Sequence, residues 1–265
     1  MLRATAITML FAMGTALPAL ADAPLPPDLM RDGAPLDAMC FQFWEDDTTV
    51  DLTECTTPLD VTPLEHEDPA ESGWHGYSYR PDDMPEEAAM RGWVVWKYLG
   101  ETPRGYVVET IHNGGGTGYF SSVQTVRREG DRLHLVETHL GGDRCNGGVA
   151  AASVANGAVA GAVHITPYDL LALALGETVP YRAYDDISAC AICCVGTATL
   201  IDDSLAWVTM ASEPRAFAPD DTPDSPQACL DRLIAEGQPI MSTAELAAFG
   251  RTFMDQCGPD AIQGR

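Results

Sequence analysis

The chain is poor in positive charge. Its 265 residues carry 15 Lys and Arg against 39 Asp and Glu, a formal net charge of -24, and Lys97 is the single lysine. A surface of that sign repels phosphate backbones and anionic headgroups, so no nucleic acid and no acidic lipid surface is expected as a partner. After the N-terminal segment no apolar run approaches the roughly 20 residues that a spanning helix needs. There is no Asn-x-Ser/Thr acceptor, no Gly-Lys-Ser/Thr ending to any glycine-rich loop and no Cys-x-x-Cys-His. Internal repeats and low-complexity tracts are missing too. No cofactor is implied. With 46% hydrophobic residues the composition is that of a folded chain, not a disordered one.

What is present begins with an export signal. Arg3 supplies a positive start, Ala6 to Leu17 form a short apolar stretch, and Ala19-Leu20-Ala21 is an A-x-A cleavage site. Gly14 and Pro18 interrupt the apolar stretch, which argues against a membrane anchor. Asp22 stands where a lipoprotein would carry cysteine, and Arg3 has no arginine beside it. Residues 1–21 are therefore expected to be a Sec signal peptide cut after Ala21. The mature chain would start at Asp22, in the periplasm or secreted, with no membrane anchor.

Residues 22–36 are proline-rich and read as an irregular arm. A β domain is expected over 37–212, an acidic proline-rich linker over 213–226 and a helical hairpin over 227–265. Ala38 to Trp44 alternates as a strand. Glu45 to Glu67 reads as loop with one short strand, and Gly73 to Arg80 as a further strand. Trp93–Leu99, Tyr106–His112, Tyr119–Arg128, Arg132–Leu140, Val149–Val154 and Ala158–Ile165 are rich in Val, Tyr, Trp and Thr. Their connections are rich in Gly and Asn, which supply the positive φ of tight hairpins. Pro167–Leu175 reads as a helix with Thr166 as N-cap. Gly196–Asp202 and Leu205–Ala211 are two more strands. Gln227–Glu236 and a helix opened by the capping box Ser242-Thr243-Ala244-Glu245 close the chain. The fold class is mainly β: an antiparallel meander forming a sandwich or open barrel, with the C-terminal helical hairpin docked on it.

Cys40, Cys55, Cys145, Cys190, Cys193, Cys194, Cys229 and Cys257 make an even count in a chain that carries an export signal, which favours disulfides. Cys40 and Cys55 flank one excursion and would close it. Cys229 and Cys257 sit at neighbouring ends of an antiparallel helical pair. Cys145, in a glycine-rich loop, should reach one member of the 190–194 cluster; the other two could then pair with each other, in a bond that includes Cys190, since Cys193–Cys194 would be strained. The Cys-x-x-Cys in that cluster is the redox alternative, although the strand and long helix that flank a thioredoxin-like site are missing.

Hairpin register proposes a polar site. If Arg128 faces Arg132, then Ser121 faces His139. If His112 faces Tyr119, then Thr110 faces Ser121. Alternation then puts His112, Thr110, Tyr119, Ser121 and His139 on one face at one end of the sheet, beside the loop that holds Asp143, Arg144 and Asn146. His112 and His139 would be ligands or bases, Asp143 the orienting or third carboxylate, and Ser121 the nucleophile of an acyl transfer. A one-residue slip would scatter the set.

The stretch Gly114 to Gly148, ending Gly-Gly-Asp-Arg-Cys-Asn-Gly-Gly, resembles a group of uncharacterised exported proteins of alphaproteobacteria. Thr166-Pro167-Tyr168-Asp169-Leu170-Leu171 and the cysteine cluster are similar too. The resemblance covers about a third of the chain; it implies a bacterial periplasmic origin and carries no function. Three functional readings follow from the residues. The first is a non-catalytic, disulfide-stabilised periplasmic binding or structural module, whose partner is a small molecule, a cation or a periplasmic protein. The second is a hydrolase or metal-dependent enzyme using the His112/His139 sheet end. The third is a thiol–disulfide protein using Cys190, Cys193 and Cys194.

Overall fold

The computed structural model describes residues 24–261, apart from 44–47, 59, 64–72, 82–90, 177–178, 183–184, 214, 220 and 260. The signal peptide expected over 1–21 lies outside the described residues. The glycine-punctuated runs of β-branched and aromatic residues form antiparallel strands joined by short turns. In chain order they are β1 (Met30–Arg31), β2 (Ala34–Pro35), β3 (Thr49–Asp51), β4 (Val61–Thr62), β5 (Trp74–Tyr79), β6 (Gly92–Thr102) and β7 (Gly105–Asn113). Then follow β8 (Phe120–Glu129), β9 (Arg132–Asp143), β10 (Val149–Ala155), β11 (Ala158–Ile165), β12 (Gly196–Ile201), β13 (Ser204–Met210) and β14 (Ile240–Ser242). Three helices complete the described elements: α1 (Pro167–Leu175), α2 (Pro226–Glu236) and α3 (Thr243–Cys257).

The strands assemble into a curled seven-stranded sheet, ordered β3-β9-β8-β7-β6-β5-β4, and a five-stranded sheet, ordered β10-β11-β12-β13-β14. This is the mainly antiparallel β architecture expected, with helices docked on it. Two expectations fail locally. Ala38–Phe41 is a 3-10 turn, not a strand: the Asp37 carboxylate accepts from the Met39 N–H and starts the turn. Residues 24–36 are ordered into a 3-10 turn at Pro27–Leu29 and the small β1–β2 hairpin.

Both faces of the seven-stranded sheet and the inward face of the five-stranded sheet carry apolar layers. On one face of the seven-stranded sheet, Val94, Trp96, Val108, Val126 and Leu133 are covered by Leu29, Leu36, Ala38 and Phe41 of the N-terminal segment. On the other face, Val107, Val123 and Leu140 meet Val159 of the five-stranded sheet. The same inward face of that sheet continues through Ile165, Ala198 and Val208 to α1, α2 and α3, where Leu170, Leu171, Leu230, Leu246 and Phe253 are buried. The helices thus cannot stand apart; their apolar stripes are completed by the sheet.

Local signals placed the helices well. Thr166 and Asp169 form a reciprocal capping box at α1, and Ser242 and Glu245 form another at α3. Gly250 lets α3 lie close on α1, because a Cβ there would sit 2.6 Å from the carbonyl oxygen of Ala174. The cysteines pair as Cys40–Cys55, Cys145–Cys194, Cys190–Cys193 and Cys229–Cys257, and none is free.

Candidate functional site

The sheet-end constellation is taken apart by register. Glu129, not Arg128, faces Arg132, so the β8–β9 turn is one residue shorter on one side than the residues suggested. His112 faces Phe120 and Thr110 faces Ser122, while Ser121 faces Ile111. Two β-bulges then interrupt β8–β9: Val123 faces Leu140 but Gln124 faces Thr138, which leaves His139 as the extra residue.

The four predicted residues therefore go to different surroundings. His112 shares the face of Val94 and Val108, with its Nε2 2.8 Å from the Tyr79 hydroxyl. Ser121 lies on the opposite face, where its Oγ accepts the Val149 N–H at 2.7 Å. His139 sits beside Thr125 on that second face, Nε2 to Oγ1 2.8 Å. Thr125 is four residues along β8 from Ser121, about 13 Å at the rise of a strand. Asp143 accepts the Tyr119 N–H at 2.8 Å and holds the Arg144 guanidinium through both its oxygens at 3.0 Å. The expected His112, His139, Asp143 and Ser121 cluster is not assembled: a one-residue offset between β7 and β8 puts His112 and Ser121 on opposite faces, and the β8–β9 bulges shift His139 along the strand.

Burial pushes His112 and His75 below the ordinary histidine pKa, since the imidazolium loses its hydration there. The folded chain then binds fewer protons than the unfolded chain. This contribution to stability is complete above the unfolded pKa of about 6.5 and is lost as pH falls to the depressed folded values. The melting temperature should thus decline on acidification below about pH 6.5. His112→Gln, which retains a partner for Tyr79, should flatten part of that decline. Identical pH profiles for the parent and the variant would remove His112 from this account. Asp143 is held low by the Arg144 hydrogen bonds and remains an anion bound to its neighbour.

Ser121 is not set up as a nucleophile. Its oxygen is an acceptor for a backbone N–H, and no histidine is hydrogen-bonded to it among the described residues. A cleft of about 340 Å³ does open beside it, lined by Tyr119, Arg144, Gly148, Val149, His164 and Cys194. The cleft lies at the glycine-rich loop that the sequence singled out, and His164 is among its lining residues. The Cys-x-x-Cys is a closed Cys190–Cys193 disulfide next to the Cys145–Cys194 bridge.

A second opening has the character of a ligand seat. Val163 and Leu200 border both the inter-sheet core and the helix core, yet each is only partly buried. The inward face of the five-stranded sheet passes there from one cover to the other, and a groove of about 570 Å³ remains between the sheet and α1. Its walls are Val163, Ile165, Ala198, Leu200 and Leu205 from the sheet, and Tyr168, Ala172 and Leu173 from α1. Asn146 and Gly147 also line it. Asp169 lines the groove, but its carboxylate is engaged by the Thr166 N–H and hydroxyl. A concave, mostly apolar site of this size with few polar groups is what small-molecule sites share. Of the groove residues, the sequence drew attention to Asn146, in the glycine-rich loop, and to Tyr168 and Asp169, at the start of α1, but not to the apolar walls. The only signal available was that α1 and β11 adjoin in the chain, joined by Thr166. The chain matches no protein-family model, and no curated protein or solved structure is similar to it.

Proposed function

We propose that the chain is an exported, disulfide-stapled binding module whose ligand is a small apolar molecule, uncharged or cationic, held in the groove between α1 and the five-stranded sheet. The observation that carries this reading is the groove itself: about 570 Å³ lined by Val163, Ala198, Leu200, Leu205 and Leu173, apolar side chains from two facing elements. The volume falls within the roughly 300–1,000 Å³ range of small-molecule sites. The net charge of -24 sets the sign of the ligand, since an anionic amphiphile would approach against the field of the whole molecule. Asn146 gives the ligand an amide to hydrogen-bond. Four disulfides and the lack, among the described residues, of any helix long and apolar enough to cross a membrane are compatible with an exported protein.

The groove can be filled without touching the core. Ala172 lies on the partly exposed face of α1, and Ala172→Trp would place an indole in the opening. The parent should bind a neutral environment-sensitive dye with a blue-shifted emission. Ala172→Trp should weaken that binding at least tenfold, with far-UV circular dichroism unchanged. Equal dye affinity in the two proteins would show that the groove is not the seat.

A further inference from the structure

The bulge that removes His139 from the expected site delivers it to another. It turns the ring toward the seam between the two sheets, on the side of Thr125 and Glu137. Asp203, in the β12–β13 turn of the five-stranded sheet, meets it there, with Oδ1 3.2 Å from His139 Nδ1. Glu137 Oε2 lies 3.8 Å from His139 Nε2. One donor atom from each of the three residues lies within 4.8 Å of the other two. Donors around a metal bound at about 2.1 Å stand roughly 3–4 Å apart, so a modest closure would suffice. The imidazole is 9% exposed and the Asp203 carboxyl 53% exposed, which leaves a way in from solvent.

Nε2 shares a hydrogen bond with Thr125 Oγ1 at 2.8 Å, and at the other ring nitrogen Nδ1 faces the Asp203 carboxylate at 3.2 Å, where a proton on Nδ1 or a cation would bridge the two. The hydrogen bond from Nε2 is also the arrangement by which metal-bound histidines are oriented. We propose that Glu137, His139 and Asp203 form a divalent transition-metal site that clamps the seven-stranded sheet to the β12–β13 turn. One imidazole and two carboxylates, with no thiolate, suit Zn²⁺ or Mn²⁺ better than soft ions or Mg²⁺. The cation would share Glu137 with Arg104, which is paired with its carboxylate.

The test uses untagged mature protein stripped with chelator and titrated with Zn²⁺, Mn²⁺ and Mg²⁺, read by calorimetry and by melting temperature. One equivalent of Zn²⁺ or Mn²⁺ should bind and raise the melting temperature, with little effect of Mg²⁺. His139→Ala and Asp203→Asn should each weaken binding at least tenfold. Asp203 is exposed, so its variant keeps the test usable if the histidine variant misfolds. Thr125→Val should weaken binding about 10–100-fold, as loss of an outer-shell partner does. A zinc response that Mg²⁺ reproduces, or that survives in Asp203→Asn, would overturn the site.

Discussion

Replacing Cys145 and Cys194 together by alanine should lower the melting temperature by on the order of 10 °C. The bridge joins residues 49 apart in sequence. On the chain-entropy relation a loop of that length contributes about 4 kcal/mol. For a chain of this size each kcal/mol moves the melting temperature by about 2–4 °C. Position adds to the effect. Cys145 is buried beside Asn146 and Gly147 at the groove, and its N–H donates to the Ala191 carbonyl at 3.2 Å. Cutting the bridge frees the β9–β10 connection from the segment that leads into β12, so groove binding should weaken as well. The neighbouring Cys190–Cys193 bridge is the internal control. Its residues are only 3 apart, for which the same relation gives about 2 kcal/mol. Differential scanning calorimetry on the two double variants checks the order. A larger loss for the Cys190/Cys193 variant would contradict the account.

Phe41→Ala should cost about 3–5 kcal/mol, the range for emptying a buried aromatic site. Phe41 is fully buried and its ring lies 4.4 Å from the ring of Trp96 between centroids. Trp96 is fully buried too, and its Nε1–H donates to the Leu36 carbonyl at 3.0 Å. Phe41, Leu36 and Leu29 come from the segment that the sequence presented as a proline-rich arm leading into a strand. In the folded chain they cover the apolar part of one face of the seven-stranded sheet. The expected result is a large loss in urea denaturation together with red-shifted tryptophan emission, as Trp96 gains water. Trp96→Phe should be destabilising as well, because it leaves the Leu36 carbonyl buried without its donor, at about 1–3 kcal/mol before any packing loss. A Phe41→Ala variant within about 0.5 kcal/mol of the parent, the range of ordinary surface changes, would mean that the segment is a dispensable cover.

The contrast between these residues and the predicted site marks what a single sequence makes legible. Strands β6 to β11 were readable because Val, Tyr and Trp runs end at glycine or asparagine turns, and α1 and α3 because Thr166 and Ser242 begin capping boxes. These are local signals with local causes. The disulfides were readable because chain proximity limited the choices: Cys40 with Cys55, Cys229 with Cys257, and Cys145 with the cluster. β14 was missed because three residues, Ile240–Ser242, carry no period of their own and are strand only by pairing with β13. The His112/His139 site failed at register: a one-residue offset between β7 and β8 puts His112 and Ser121 on opposite faces, and two bulges in β8–β9 shift His139 along the strand. The groove was invisible for another reason. It exists because two sheets diverge over Val163 and Leu200, and divergence is a property of packing between distant segments.

The central claim is that the groove between α1 and the five-stranded sheet binds an apolar ligand. Methyl-resolved NMR of the protein titrated with 1-octanol, an uncharged probe, tests it most directly. Saturable shifts confined to Val163, Ala172, Leu173, Ala198, Leu200 and Leu205, and lost in Ala172→Trp, are the predicted result. Shifts that do not saturate, or that fall elsewhere while these methyls stay still, would contradict it.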